Sequence, residues 1–124
     1  MAEPHPFRRA AEAKDLELLK ETLREDVVLH SPILFRGFEG REMAIAVLTH
    51  VSATLEGLTY TDELVADGTV ALRFKAMVED RELEGIDFLE LDEDGRVREL
   101  TVFMRPMSAL TRFNERMSER LGVA

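Results

Sequence analysis

The chain reads as an α+β fold, with helices gathered on one face of a bent, mainly antiparallel sheet. Three observations carry that reading. Apolar residues recur at helical spacing near the start, in the middle and at the end. Alternating apolar runs follow one another through the second half. Acidic or Gly-containing turns separate those runs.

Taken in order, Phe7 to Ala13 predicts a first helix. Leu16, Leu19 and Leu23 predict a second over Asp15 to Leu23, with Asp15 placed to cap it and Glu17 in its first turn. Val27 to Ser31 is a brief β-branched strand that Pro32 ends. The loop from Ile33 to Gly40 holds Phe35 and Phe38, more aromatic area than a solvated connection normally carries, and is expected to form a lid or pocket rim.

Ala44, Val47, Leu48, Val51 and Leu55 predict an amphipathic helix over Arg41 to Glu56 that Gly57 ends. Four strands follow: Leu58 to Ala66, Thr69 to Glu79, Leu83 to Leu91 and Val97 to Met104. Asp67-Gly68 is a hairpin signal, Asp80-Arg81 begins the next return, and Asp92 to Gly95 makes the last turn. Gly85 is expected to mark a bulge or sharp bend. Pro106 ends the last strand and opens a closing helix as its first residue, with Leu110, Phe113, Met117 and Leu121 on one stripe. Residues 1–124 are expected to form a single domain.

Composition narrows the partners. The 25 acidic and 16 basic side chains give a net charge of −9, which repels phosphate backbones and anionic lipid surfaces. Neither nucleic acid nor membrane is an expected partner. No apolar run approaches the roughly 20 residues of a membrane span, and the start lacks a basic-then-apolar leader. The absence of cysteine removes thiolate chemistry and fits a reducing, cytoplasmic setting. The three histidines show no paired ligand spacing, so no metal or other cofactor is expected.

A set of short segments, in this order and spacing, resembles the SnoaL-like group of the nuclear transport factor 2-like superfamily. They are Asp15-Leu16, Asp26 to Pro32, Gly40-Arg41-Glu42, Gly85-Ile86-Asp87-Phe88, Asp94 to Val97 and Arg105-Pro106. The resemblance covers nearly the whole chain. It implies a cystatin-like cone, a strongly curved sheet wrapped around helices with an apolar hollow between them, and a convex face that often pairs with a second subunit. Members include ketosteroid isomerases, polyketide cyclases, epoxide hydrolases, dehydratases and non-catalytic scaffolds, so the fold does not fix the function.

The ketosteroid isomerase pattern calls for a general-base Asp before the proline, a Tyr in the first helix and an acid in the penultimate strand. The matching places here hold Ser31, Phe7 and Asp87. A serine hydroxyl is too weak a base to take a carbon-bound proton unaided, so the standard isomerase mechanism is not expected. The Asp, Arg, Asp trio of the epoxide hydrolases has no placed counterpart.

Period-two alternation puts Asp87, Leu89 and Leu91 on one face, where desolvation would favour the neutral acid, a hydrogen-bond donor to a carbonyl or enolate oxygen. The plain alternative ties Asp87 to a backbone amide or a buried water. His50, beside Met43 and Val47 on the long helix, is the candidate base; its plain alternative is a half-exposed helix histidine. His30 is expected to look away from the hollow. Tyr60 could donate from the pocket wall or simply pack. Phe7, Ser31, Phe35, Met43, Val47, Phe74, Leu89, Leu100, Val102 and Met104 are the further lining candidates. Arg105 is expected to pair with a nearby acid.

On the opposite face Ile86, Phe88, Thr101 and Phe103 are too apolar to leave in water, and a two-fold homodimer would cover them. Three functions remain open. The first is binding of a small, largely apolar molecule with no assigned reaction. The second is an isomerase, cyclase or dehydratase acting through Asp87 on a carbonyl-bearing substrate. The third is a non-catalytic interaction or scaffold module.

Overall fold

His5 starts the first helix: its ring accepts the Phe7 backbone N–H at 3.1 Å, and Pro6 brings a helical φ to the first turn. In the computed structural model, which describes residues 4–122, α1 is Pro6–Ala13 and α2 is Leu16–Glu21. Asp15 caps α2 by accepting the Leu18 N–H at 3.1 Å. That helix is shorter than the leucine spacing predicts. Leu23, fully buried, is instead the first residue of strand β1 (Leu23–His30), which therefore begins four residues before the expected Val27. One apolar residue at a helix-to-strand junction satisfies both periods, and the parallel pairing of Leu23 with Val97 decides between them.

The Phe-containing loop carries a two-residue strand, β2 (Phe38–Glu39), antiparallel to Val28 and Leu29. Helix α3 (Arg41–Thr54) ends two residues earlier than expected. Gly57 lies inside the next strand, β3 (Glu56–Ala66), with φ +64, where the β3 register shifts against its neighbour; its left-handed freedom serves that bulge, not a helix cap. Strands β4 (Thr69–Val78), β5 (Arg81–Leu91) and β6 (Val97–Arg105) complete an antiparallel meander with β3. Pro106 is the cap of α4 (Met107–Leu121) and stands outside its first turn.

The six strands run β2-β1-β6-β5-β4-β3, with β1 parallel to β6 and every other pair antiparallel. Along β4 the alternation is clean: Val70, Leu72, Phe74, Ala76 and Val78 are buried, while Arg73 and Lys75 face water. The helices cover that inner face. Phe7 and Ala10 from α1, Val47 and Leu48 from α3, and Ala109, Phe113 and Met117 from α4 join one core with it. No helix among the described residues is long and apolar enough to cross a membrane.

Gly85 is not a bulge. The register passes through it unbroken, opposite Phe74 on one side and Met104 on the other. A Cβ there would collide with the Phe103 carbonyl oxygen and lie 2.6 Å from Phe74 Cζ. The glycine is required by close approach across the sheet. Arg105 pairs with Glu84, and that contact, with Arg73 beside it, holds the Glu84 carboxyl below its usual range.

Candidate functional site

Between the helices and the inner sheet face lies a cavity of about 340 Å³. Phe7, Val47, Phe74, Val102 and Met104 give it an apolar wall, and Asp87 and Tyr60 place two polar groups on it. Strand alternation turns Asp87 inward with Leu89, and at 8 % exposure it is the most deeply placed acid among the described residues. Tyr60 reaches it from the edge strand β3, two strands away. The phenol donates to Asp87 Oδ2 at 2.6 Å.

That position of Tyr60 is held from two sides. On the backbone side, Tyr60 N–H donates to Glu12 Oε2 at 2.8 Å, and its carbonyl accepts from Arg8 at 3.0 Å, so α1 pins β3 at this residue. On the ring side, Phe74 meets it edge-on, with centroids 6.0 Å apart and planes at 77°. Burial lifts the Asp87 carboxyl to about 7, against the pull of the Tyr60 hydrogen bond, which favours the charged form. Burial also pushes the Tyr60 phenol well above its usual value, and the neighbouring Asp87 adds to that rise. Near neutral pH the site therefore holds a neutral phenol and a carboxyl group poised between its two forms. A neutral carboxyl here keeps Tyr60 as donor to one oxygen and offers its own O–H to a ligand.

Ser31 lies at the cavity wall, but its Oγ accepts the Leu34 and Ile33 backbone N–H groups at 3.0 and 3.3 Å. It caps a turn and has no basic partner. Five candidates do not line the cavity. Leu89 and Leu100 pair across β5 and β6 and are fully enclosed in the core. Phe35 is wholly exposed at the loop tip, and Ile33, Leu34 and Phe38 take the rim places expected of it. Helix α3 turns Val47, Leu48 and Val51 toward the hollow, which leaves Met43 exposed and His50 half-buried on the flank. His30 looks away, as alternation requires, with Nε2 4.0 Å from Glu99.

Sequence reasoning found Asp87, Tyr60 and Ser31 but missed four further polar residues of the lining. Lys14, Ser52, Asn114 and Ser118 also border the cavity. Lys14 follows α1 directly, and Asn114 and Ser118 flank Met117 on the stripe side of α4, so helical phase would have found the latter two.

A sequence profile described as the SnoaL-like domain matches residues 6–100. The chain belongs to the SnoaL-like domain family. Among curated proteins none matches it by sequence. Among solved structures, this SnoaL-like chain is similar to a steroid delta-isomerase from Pseudomonas aeruginosa, with 33% identity, a TM-score of 0.88 and coverage of 94% of this chain and 86% of that one. It is similar to a cystatin-like-fold protein from Silicibacter pomeroyi at 26% identity and TM-score 0.89, over 93% and 82% of the two chains. A de novo designed protein with a curved β-sheet, 15% identical, shares the fold alone at TM-score 0.71, over 91% and 96%.

Proposed function

We infer that this SnoaL-like protein binds a small, largely apolar, carbonyl-bearing molecule in the cavity, with Asp87 as hydrogen-bond donor to the carbonyl oxygen. The observation that carries this is the pairing of Asp87 with Tyr60 on a largely apolar wall. A volume of about 340 Å³ falls within the range of roughly 300–1,000 Å³ usual for ligand sites. A filled cone, as in a scaffold, would leave no such space.

The reading makes binding depend on the protonated acid. Above about pH 7 Asp87 ionises, loses its O–H and repels a carbonyl oxygen, so affinity falls as pH rises. Calorimetric titration with decalone and with decalin, its parent hydrocarbon, tests this. The ketone should bind about tenfold tighter than the hydrocarbon, with that preference lost on the alkaline side and in Asp87→Leu combined with Tyr60→Phe, which removes the phenol donor that Asp87→Leu alone would free. In Asp87→Asn, whose amide also donates, the preference should be independent of pH. Equal affinity for ketone and hydrocarbon in the wild type would refute the assignment.

A second reading, isomerisation of such a ketone, is favoured by the likeness to the steroid delta-isomerase over 94% of the chain. There Asp87, supported by the Tyr60 hydrogen bond, would stabilise negative charge developing on the oxygen, and the carbon-bound proton would need a base from outside the described lining, since His50 does not border the cavity and Ser31 is a turn cap. The reading of the convex face is a two-fold dimer, supported by the exposure of Ile86 at 40 % and Phe103 at 55 %.

A further inference from the structure

We propose that the ligand is amphipathic: its carbonyl end meets Asp87, and its other end carries a carboxylate held at the cavity mouth by Lys14. This rests on the reading of the cavity as a ketone site and adds the class of molecule.

The cavity has a burial gradient. Asp87 and Tyr60 are buried, whereas Lys14 and Asn114 are exposed and Ser52 and Ser118 half-exposed. These four polar residues gather at one rim. Lys14 Nζ donates to the Ser52 carbonyl at 2.8 Å and the Leu55 carbonyl at 3.2 Å, which fixes the ammonium at the end of α3. Helix α4 closes on the same place: Arg120 donates to the Ala53 carbonyl at 3.1 Å, and Thr54 Oγ1 lies 3.6 Å from Met117 Sδ. Ser52 and Ser118 are the neighbours of those contacting residues.

Among the described residues Lys14 is the only cationic residue on the cavity wall, and none of their carboxylates lies in ion-pair range of it. In a chain with net charge −9 that solitude is chemically informative. The ammonium also has one more N–H than its two carbonyl partners use, so a donor is left for a ligand. The backbone adds a separate indication. Lys14 terminates α1 at φ +56, ψ +36, a left-handed place where glycine is the favoured residue. Lys14 occupies that place against conformational preference, and its side chain ends at the mouth.

A compact ammonium with a free donor suits a carboxylate. An apolar molecule with a ketone at one end and a carboxylate at the other would place each polar group at a part of the wall that can receive it, and its apolar body between them.

The test uses straight-chain keto acids of increasing length, each with its methyl ester, titrated calorimetrically into wild type, Lys14→Gln, Lys14→Arg and Asp87→Leu. The glutamine amide keeps an uncharged N–H donor at this place, and urea denaturation of each variant checks that the fold is preserved. For the best-fitting length the acid should bind about tenfold tighter than its ester, with the preference shrinking as salt is added. Lys14→Gln should remove the preference and leave ester affinity unchanged, and Lys14→Arg should restore it. Asp87→Leu should weaken acid and ester equally. Equal binding of acid and ester by the wild type, or equal weakening of both by Lys14→Gln, overturns the carboxylate assignment while leaving the ketone site standing. Binding of none of the acids or esters overturns the amphipathic ligand, and if decalone also binds no tighter than decalin the ketone site falls with it.

Discussion

Phe74 stands opposite Gly85 across β4 and β5, its ring occupying the space that a side chain at position 85 would take. The same ring supports Tyr60 edge-on at 6.0 Å. A single missing side chain on β5 thus sets the position of the phenol that meets Asp87, itself only two residues further along that strand.

Gly85→Ala should consequently damage both fold and site. Its methyl group would meet Phe74 Cζ at 2.6 Å and, more seriously, the Phe103 backbone carbonyl, which cannot swing aside as a flexible side chain would. Overpacking of this kind costs about 1–3 kcal/mol, more where backbone must move. Urea denaturation should show a loss at the upper end of that range. The remaining folded protein should bind decalone more weakly, because a displaced Phe74 no longer holds Tyr60. Wild-type stability in this variant would show that the sheet opens freely between β5 and β6.

Burial of Asp87 has a defined cost in stability against pH. Below about pH 4 the carboxyl is neutral in both folded and unfolded chains, and the folded state bears no penalty. As pH rises the unfolded group ionises first, while the folded one waits until about 7, so stability is lost across that window and levels off above it. A rise from 3.8 to about 7, at about 1.4 kcal/mol per unit, amounts to something on the order of 4 kcal/mol. Asp87→Asn does not titrate. The stability of the wild type relative to this variant should fall by that amount between about pH 4 and pH 7, measured by urea denaturation at each pH. Parallel profiles would mean that the carboxyl is solvated.

The inner face of the sheet was legible because burial on one side imposes a strict period of two; Val70 to Val78 and the inward turn of Asp87 follow from alternation alone. What alternation lacks is depth. Leu89 and Leu100 share the inward face with Asp87 yet lie in filled core, because the cavity occupies only part of the cone. The Tyr60–Asp87 contact spans three strands, a pairing that alternation within one strand does not encode. Lys14 was illegible for another reason: its role follows from where the end of α3 lies, 38 residues further on. Phe35 shows the limit of composition, since aromatic content marked the right loop but not which ring would face the rim.

The last expectation concerns the face the helices leave bare. Ile86 and Phe103 pair across β5 and β6 and are 40 % and 55 % exposed, with Phe88 and Thr101 half-buried beside them. Side chains of this size on adjacent strands form a contiguous apolar surface, which water solvates poorly. A two-fold axis through the sheet would lay the patch against its own copy, so that each substitution acts twice per interface. Sedimentation velocity at micromolar concentration should give a dimer for the wild type and a monomer for Ile86→Lys combined with Phe103→Lys, since the paired ammonium groups would then face their copies across the axis. Both residues point away from the cavity, so the monomeric variant should bind decalone with unchanged affinity. A wild-type monomer under these conditions would leave the patch without a second copy to cover it and would exclude the dimer.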